Sequence, residues 1–217
     1  MIVSLASMFL LSWFQAAPET VPLSVVVAWD NSLSGTASFE IRAEATTRFL
    51  QGLASDSSAA FAIIRFNDYV QLVRDFSVVG GGIRDALHEQ EPDGRSCLFD
   101  CLMLTAADLL SDRHGRRVIV VATDGEDNCG RTNRDAAVNA LNRFHVRVYA
   151  VGIEGPPYPS NLGNLQALAE RTGGLYIHAD DNREALRDAY ARIRTALAET
   201  NPTGRRPEDA GPPEPPQ

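Results

Sequence analysis

The 217-residue chain contains no lysine; all 20 of its basic residues are arginine. That absence removes several chemistries. A P-loop needs a lysine on its phosphates, and a Schiff-base enzyme needs the amine itself. A receiver-type phosphoacceptor domain would lack its phosphate-contacting lysine. Cysteine is scarce, with only Cys97, Cys101 and Cys129, and no C-x-x-C occurs. Zinc ribbons and thioredoxin-like chemistry therefore have no support. The four histidines (88, 114, 145 and 178) are scattered, and none pairs at metal-ligand spacing, which argues against a zinc centre. Positive charge is also in deficit. The formal net charge of −8 argues against a nucleic-acid partner, whose binders are normally basic.

What is present suffices for one α/β domain, since 44% of the residues are hydrophobic. Met1 to Pro18 carry no charge, and Ile2 to Phe14 are mostly apolar before the small pair Ala16-Ala17. Residues 1–17 have the look of a secretory signal, although no basic residue precedes the apolar run. Export to a periplasm or the cell exterior is expected, with membrane association only through this segment if it is uncleaved. As a permanent anchor the segment is at the short limit for spanning a bilayer. Residues 202–217 are rich in proline, glycine and charge, and are expected to be a disordered tail. The domain itself is expected over residues 21–200.

Strand and helix patterns alternate through that domain. Leu23–Trp29, Ala60–Phe66, Tyr69–Phe76, Arg117–Thr123, Val146–Ile153 and Leu175–His178 read as strands. Tyr69–Phe76 alternates as an edge strand should, and the others are near-continuous apolar runs. Thr36–Leu53, Ile83–Gln90, Cys97–Leu110, Asn133–Phe144, Leu162–Arg171 and a last helix capped by Asn182 and running to about Leu197 read as helices. Asp56-Ser57-Ser58 and Gly155 to Pro159 read as a turn and an irregular loop. The fold class is α/β: a three-layer, doubly wound, mostly parallel six-stranded sheet.

The first strand, Val25-Val26-Val27-Ala28-Trp29, ends in Asp30-Asn31-Ser32-Leu33-Ser34. Loops at the carboxyl ends of such strands are where open α/β sheets place ligands. An acid and two hydroxyls at alternate positions offer hard oxygens to a hard cation, but they would equally serve as a helix cap. Asp124 stands in the same way at the end of Val118–Thr123, and Ser96 precedes the helix starting at Cys97. Three loops can thus gather Asp30, Ser32, Ser34, Ser96 and Asp124 at one sheet edge. That set holds two carboxylates and three hydroxyls, which suits Mg²⁺ (or Mn²⁺) with a coordination position left open.

These motifs resemble those of the von Willebrand factor type A (VWA) domain family, its bacterial exported members in particular. The family's metal-ion-dependent adhesion site (MIDAS) has an Asp-x-Ser-x-Ser loop, matched by Asp30, Ser32 and Ser34. Its second loop has a Gly-Gly-Thr-x-Leu-Tyr-Asp-like run, matched by Gly94-Arg95-Ser96-Cys97-Leu98-Phe99-Asp100. Its third has Thr-Asp-Gly, matched by Thr123-Asp124-Gly125. The resemblance covers about Val21 to Ala198. It implies one antiparallel edge strand, and direct metal ligation by Ser32, Ser34 and Ser96 with Asp30 and Asp124 acting largely through water. It also implies a protein ligand offering a carboxylate, and in some members a last helix that slides when ligand binds. Two departures stand out. Ser96 replaces Thr, keeping the hydroxyl, and Leu33 and Arg95 stand where many members have glycine. They put an apolar and a positive side chain at a partner-binding rim.

A non-enzymatic, metal-dependent binding module is the leading reading. A structural VWA module without metal is the alternative. A metal-dependent hydrolase is weaker still, because the loops hold no histidine and an aspartyl-phosphate enzyme would carry Asp at Ser32. Asp100 reads as a supporting or first-turn acid, Asp68 as turn chemistry, Trp29 as core, and Glu126, Asp127 and Asn128 as solvated loop residues. Cys97 follows Ser96 and Cys129 follows Asp124 by five residues, so a Cys97–Cys129 disulfide is conceivable; two free thiols fit the spacing equally well. Cys101 reads as a small buried apolar residue.

Overall fold

The computed structural model describes residues 21–55, 59–78, 81–154 and 160–199. The expected leader (1–17), the turn at 56–58, the loop at 155–159 and the tail (202–217) lie outside the described residues.

Six strands form one sheet in the order β3-β2-β1-β4-β5-β6. They are β1 (Leu23–Asp30), β2 (Ala59–Phe66), β3 (Val70–Ser77), β4 (Arg116–Thr123), β5 (Val146–Glu154) and β6 (Leu175–Asp180). Every pairing is parallel except β2 with β3, whose register runs antiparallel through Ile64↔Leu72 and Phe66↔Val70. All eight residues of β1 are buried. That burial is what a continuous Val-rich run requires, because helices cover both of its faces.

The two faces have separate cores. Val25, Val27 and Trp29 point to one, where they meet α1 (Phe39–Leu53), α2 (Ile83–Leu87) and α6 (Arg183–Glu199). Val26 and Ala28 point to the other, against α3 (Leu98–Leu104), α4 (Arg134–Arg143) and α5 (Leu162–Thr172). The expected stripe of α1 (Phe39, Ala43, Thr46, Phe49, Leu50, Leu53) is wholly buried. Trp29, expected in the core, meets Phe39 edge-on at 5.6 Å. Asn133 and Asn182 cap α4 and α6, accepting from the Ala136 and Ala185 amides at 2.9 and 3.0 Å.

Three helix boundaries differ from the sequence reading by three residues or more. The helix expected to run to Gln90 ends at Leu87. The helix expected from Thr36 begins only at Phe39, because Leu33–Ser38 form a 3₁₀ turn. Such 3₁₀ turns are frequent at helix N-termini, and the Leu33 amide at the start of this one bonds to the Gly94 carbonyl (3.0 Å). The helix expected to run to Leu110 is α-helical only to Leu104 and then widens into a π turn over Thr105–Leu109.

β1 is the switch point of the winding. The chain leaves it to one side for β2, and β4 pairs on its other side. The carboxyl ends of β1 and β4 therefore open a crevice between loops that diverge to opposite faces.

Candidate metal centre

Three loops meet at that crevice: Asp30–Ser34 after β1, Gly94–Cys97 before α3, and Asp124–Cys129 after β4. Backbone bonds lash them together. The Leu33 amide donates to the Gly94 carbonyl (3.0 Å), and the Asp93 amide to the Asn31 carbonyl (2.9 Å). Between the second and third loops the Asn128 amide donates to the Ser96 carbonyl (3.0 Å), and the Ser96 amide to Asn128 Oδ1 (2.9 Å).

Asp30 is 1% exposed. Its Oδ1 accepts the Ser32 amide at 2.9 Å, and its Oδ2 accepts the Thr123 hydroxyl at 2.5 Å. The carboxylate thus sits under the first loop and ties it to the end of β4. Ser32 and Ser34 hold their hydroxyl oxygens 3.1 Å apart. Asp124 Oδ1 accepts the Glu126 amide at 3.0 Å. A cleft of about 240 Å³ is lined by Ser32, Ser34, Ser96 and Asp124. Leu33, Arg95, Glu126 and Asn128 complete its walls. Four of the five expected ligands thus share one cleft, and Asp30 lies beneath it.

Ser96 decides how well the site fits a cation. It is 2% exposed, and its hydroxyl oxygen has no hydrogen-bond partner. A buried hydroxyl without a partner is uncommon in a folded protein. The donor set is all oxygen, and among the described residues no group of three or more His, Cys, Asp or Glu side chains could hold a metal. The residues present therefore fit a hard, oxygen-seeking ion better than a soft one.

Glycine is required at two bends of this edge. Gly94 (φ 76°) and Gly125 (φ 80°) adopt left-handed backbone, and a Cβ on either would collide, with the Asp68 carboxylate and the Asn161 carbonyl respectively.

Several supporting residues were not legible as such. Asn128, read as a solvated loop residue, bonds Ser96 through both its main chain and its side chain. Asp127 accepts the Phe99 amide (3.1 Å) and so caps α3, whose own N-cap residue makes no side-chain bond. Burial raises the Asp127 carboxyl above its usual range, and the neighbouring Asp100 charge adds to this. Burial acts the same way on Asp100, but bonds from Thr132 and Arg131 outweigh it and hold that carboxyl low. Asp100 accepts the Thr132 amide at 2.8 Å and so pins the end of the third loop to α3.

Arg95 lines the cleft and is paired. Its Nε bonds Asp68 Oδ1 at 2.8 Å, and its amide bonds Asp68 Oδ2 at 3.2 Å. Those bonds hold the Asp68 carboxyl below its usual range, so its charge persists to cancel the arginine's. Asp68, read as turn chemistry, is an ion-pair partner. The cause is the fold, which docks the β2–β3 turn on the second loop through the Cys97 amide and the Asn67 carbonyl (3.1 Å).

Cys97 and Cys129 are joined in a disulfide, with Cα atoms 5.0 Å apart, which fastens the second loop to the third. Cys101 is free and buried, and burial pushes its thiol up to about 12. Iodoacetamide is therefore expected to leave Cys101 unmodified in the native protein and to label it fully in denaturant, as read by intact mass. Labelling of Cys101 in the native state at the rate of a small free thiol would contradict the packing described.

The family model of the von Willebrand factor type A domain matches residues 24–192. The chain belongs to that family. Domains of this kind are generally interaction modules rather than enzymes. Among solved structures, the fold matches BatB from Bacteroides thetaiotaomicron, a conserved hypothetical protein. The TM-score is 0.65 and the identity 18%, covering 82% of this chain and 100% of that one. It also matches an aerotolerance-related membrane protein from Bacteroides fragilis, at TM-score 0.61 and 20% identity over 80% and 99% of the two chains. A third match is proximal thread matrix protein 1 of the mussel byssus, in a structure with a zinc-occupied MIDAS motif. Its TM-score is 0.64 and its identity 15%, over 80% of this VWA chain and 47% of the mussel one. No curated protein matches the chain. At these identities the likeness concerns the fold alone.

Proposed function

We propose that this VWA domain is a metal-dependent protein-binding module, not an enzyme, which takes Mg²⁺ (or Mn²⁺) at the β1–β4 edge and engages an acidic side chain of a partner protein. The Ser96 hydroxyl carries the reading. It is buried, unpartnered, and faces a cleft shared with two serine hydroxyls and the Asp124 carboxylate. Ser32, Ser34 and Ser96 would hold the ion, and Asp30 and Asp124 would balance its charge from close by. When bound, the ion supplies an open coordination position to a partner's carboxylate. The three loops carry neither histidine nor lysine, so no imidazole base or amine nucleophile stands beside the site.

A structural module without metal is the second reading. The Ser32–Ser34 contact and the two bonds to Asp30 favour it, since those groups already have partners. Thermal unfolding in Mg²⁺, Mn²⁺ or EDTA separates the two. An ion at a hundredfold excess over its Kd stabilises the native state by about 2.7 kcal/mol, a rise of roughly 5–10 °C for a domain of this size. Identical melting in all three conditions leaves the metal-free reading standing.

The module is assigned to residues 21–200, with residues 1–17 as its leader and 202–217 as a tail outside it. A site outside the reducing cytoplasm, periplasmic or extracellular, is supported by the Cys97–Cys129 disulfide. Among the described residues no helix is long and apolar enough to cross a membrane.

A further inference from the structure

We infer that the amino edge of the sheet, at the opposite pole from the metal site, carries a phosphate-binding hollow that seats the domain on an anionic lipid surface. This goes beyond the metal-dependent reading and does not rest on it.

β4 begins at Arg116 and β5 at Val146, and beside their first residues lies a hollow of about 70 Å³. That is room for more than one water. Arg116, Arg117 and Arg147 line it with His145 and Tyr149, and among the described residues no carboxylate does. The wall is held in place. Arg117 donates from Nε to the Arg113 carbonyl (2.7 Å) and from Nη1 to the Phe144 carbonyl (2.8 Å), which fastens the turn between α4 and β5 to β4. His145 closes that turn in left-handed backbone (φ 54°), and among the described residues no other non-glycine residue has a positive φ. Such a conformation is costly for a residue with a Cβ, and it recurs at ligand clamps. Here it stands at the wall of the arginine-lined hollow.

The positive charge extends past the hollow, in a chain of net charge −8. Arg113, Arg117, Arg143 and Arg147 make no ion pair with a described residue. Asp112, beside Arg113 in sequence, accepts the Ser111 hydroxyl (3.5 Å) and offsets only one of these charges. Several guanidinium forks around one hollow suit the oxygens of a phosphate group.

The chain path assigns the phosphate to lipid. The Pro22 carbonyl accepts the Arg116 amide (2.8 Å), so the chain enters β1 at the border of this patch. Only residues 18–21 separate Pro22 from the apolar segment expected as a leader, a reach of roughly 14 Å at most. A bilayer holding that segment would lie against this edge, and the metal cleft would face away from it. The patch therefore adds a second membrane contact to the one expected of the leader, and nucleic acid has no such tie to this edge.

The test is a lipid titration of the full chain in EDTA, by co-sedimentation with vesicles of phosphatidylcholine alone or mixed with phosphatidylglycerol. EDTA silences the metal site, and the apolar segment contributes equally to both vesicles, so their difference reads the patch. Binding is expected to be tighter with phosphatidylglycerol and to weaken as salt is raised. It should fall about fivefold in Arg147→Gln and again in Arg143→Gln. Arg143 is exposed and outside the hollow, so R143Q keeps the test decisive if R147Q melts early. Equal binding to the two vesicles, or a phosphatidylglycerol preference that neither variant moves, overturns the inference. Inorganic phosphate that raises the melting temperature of the parent but not of R147Q, with no lipid preference, assigns the hollow to free phosphate and overturns the lipid assignment. Duplex DNA bound in the absence of a lipid preference does the same in favour of nucleic acid. None of these outcomes touches the metal reading, whose readout is the ion response.

Discussion

Reduction of the Cys97–Cys129 disulfide is expected to lower the melting temperature by about 10 °C. The bridge closes a loop between residues 32 apart in sequence. In the chain-entropy account, opening such a loop in the unfolded state removes about 3–4 kcal/mol of stability. For a domain of 150–250 residues, each kcal/mol shifts the midpoint by roughly 2–4 °C. The position of the bridge adds a local effect. Cys97 adjoins Ser96, and Cys129 adjoins Asn128, the residue that bonds the Ser96 amide and carbonyl. Cutting the bridge leaves that two-bond ladder as the main tie between the second and third loops. The ion-induced rise in melting temperature should therefore shrink as well. The measurement is scanning calorimetry with and without a phosphine reductant, alongside the Cys97→Ser/Cys129→Ser double variant. Cys101→Ala controls for the third thiol and should lower the midpoint by only about 2–4 °C, because deleting a single buried sulfur costs about 1 kcal/mol. Coincident melts for oxidised and reduced protein, with three thiols titrating in denaturant without reductant, would sink the expectation.

The bridge also marks how far the sequence can be read. Val25–Trp29 and Val118–Thr123 announce buried parallel strands, because only a strand covered on both faces tolerates an unbroken apolar run. The acids that end them must then emerge at one edge, which is why Asp30 and Asp124 could be named together from sequence. Ser96 follows from the helix after it. Contacts made across sequence by polar side chains were not legible. Nothing local distinguishes Asn128, which braces Ser96, from a solvated loop asparagine; its partner lies 32 residues away. Arg95 and Asp68 are 27 residues apart, and their pairing depends on how the β2–β3 turn docks. The 3₁₀ turn at Leu33–Ser38 escaped for another reason. Thr36 to Ser38 fit the helical pattern of α1, and a short 3₁₀ turn at a helix N-terminus carries no pattern of its own to separate it from the helix. The residue types at this edge are thus encoded locally, whereas the struts that aim them are encoded only by the fold.

Ser96→Ala is expected to move stability in opposite directions with and without the ion. Without it, the hydroxyl is buried and unpartnered, so its removal relieves a desolvation penalty rather than breaking a bond. The ion-free protein should melt unchanged or slightly higher, by no more than about 1 kcal/mol. With Mn²⁺ present, the same change deletes an oxygen from the site. A hundredfold loss of affinity would cut the stabilisation at a fixed ion concentration from about 2.7 to about 0.4 kcal/mol. Asp30→Asn supplies the complementary arm. It removes a full negative charge while keeping an oxygen that can accept the Ser32 amide or the Thr123 hydroxyl, the two bonds Asp30 makes. Its ion response should be abolished. A structural serine would behave differently: S96A would lower the ion-free midpoint by the value of a lost buried hydrogen bond, and the ion response would be untouched. Unfolding curves of the parent, S96A and D30N across a Mn²⁺ titration decide between these outcomes, because the metal reading requires S96A to be neutral or stabilising without the ion and to become destabilising as the ion is added.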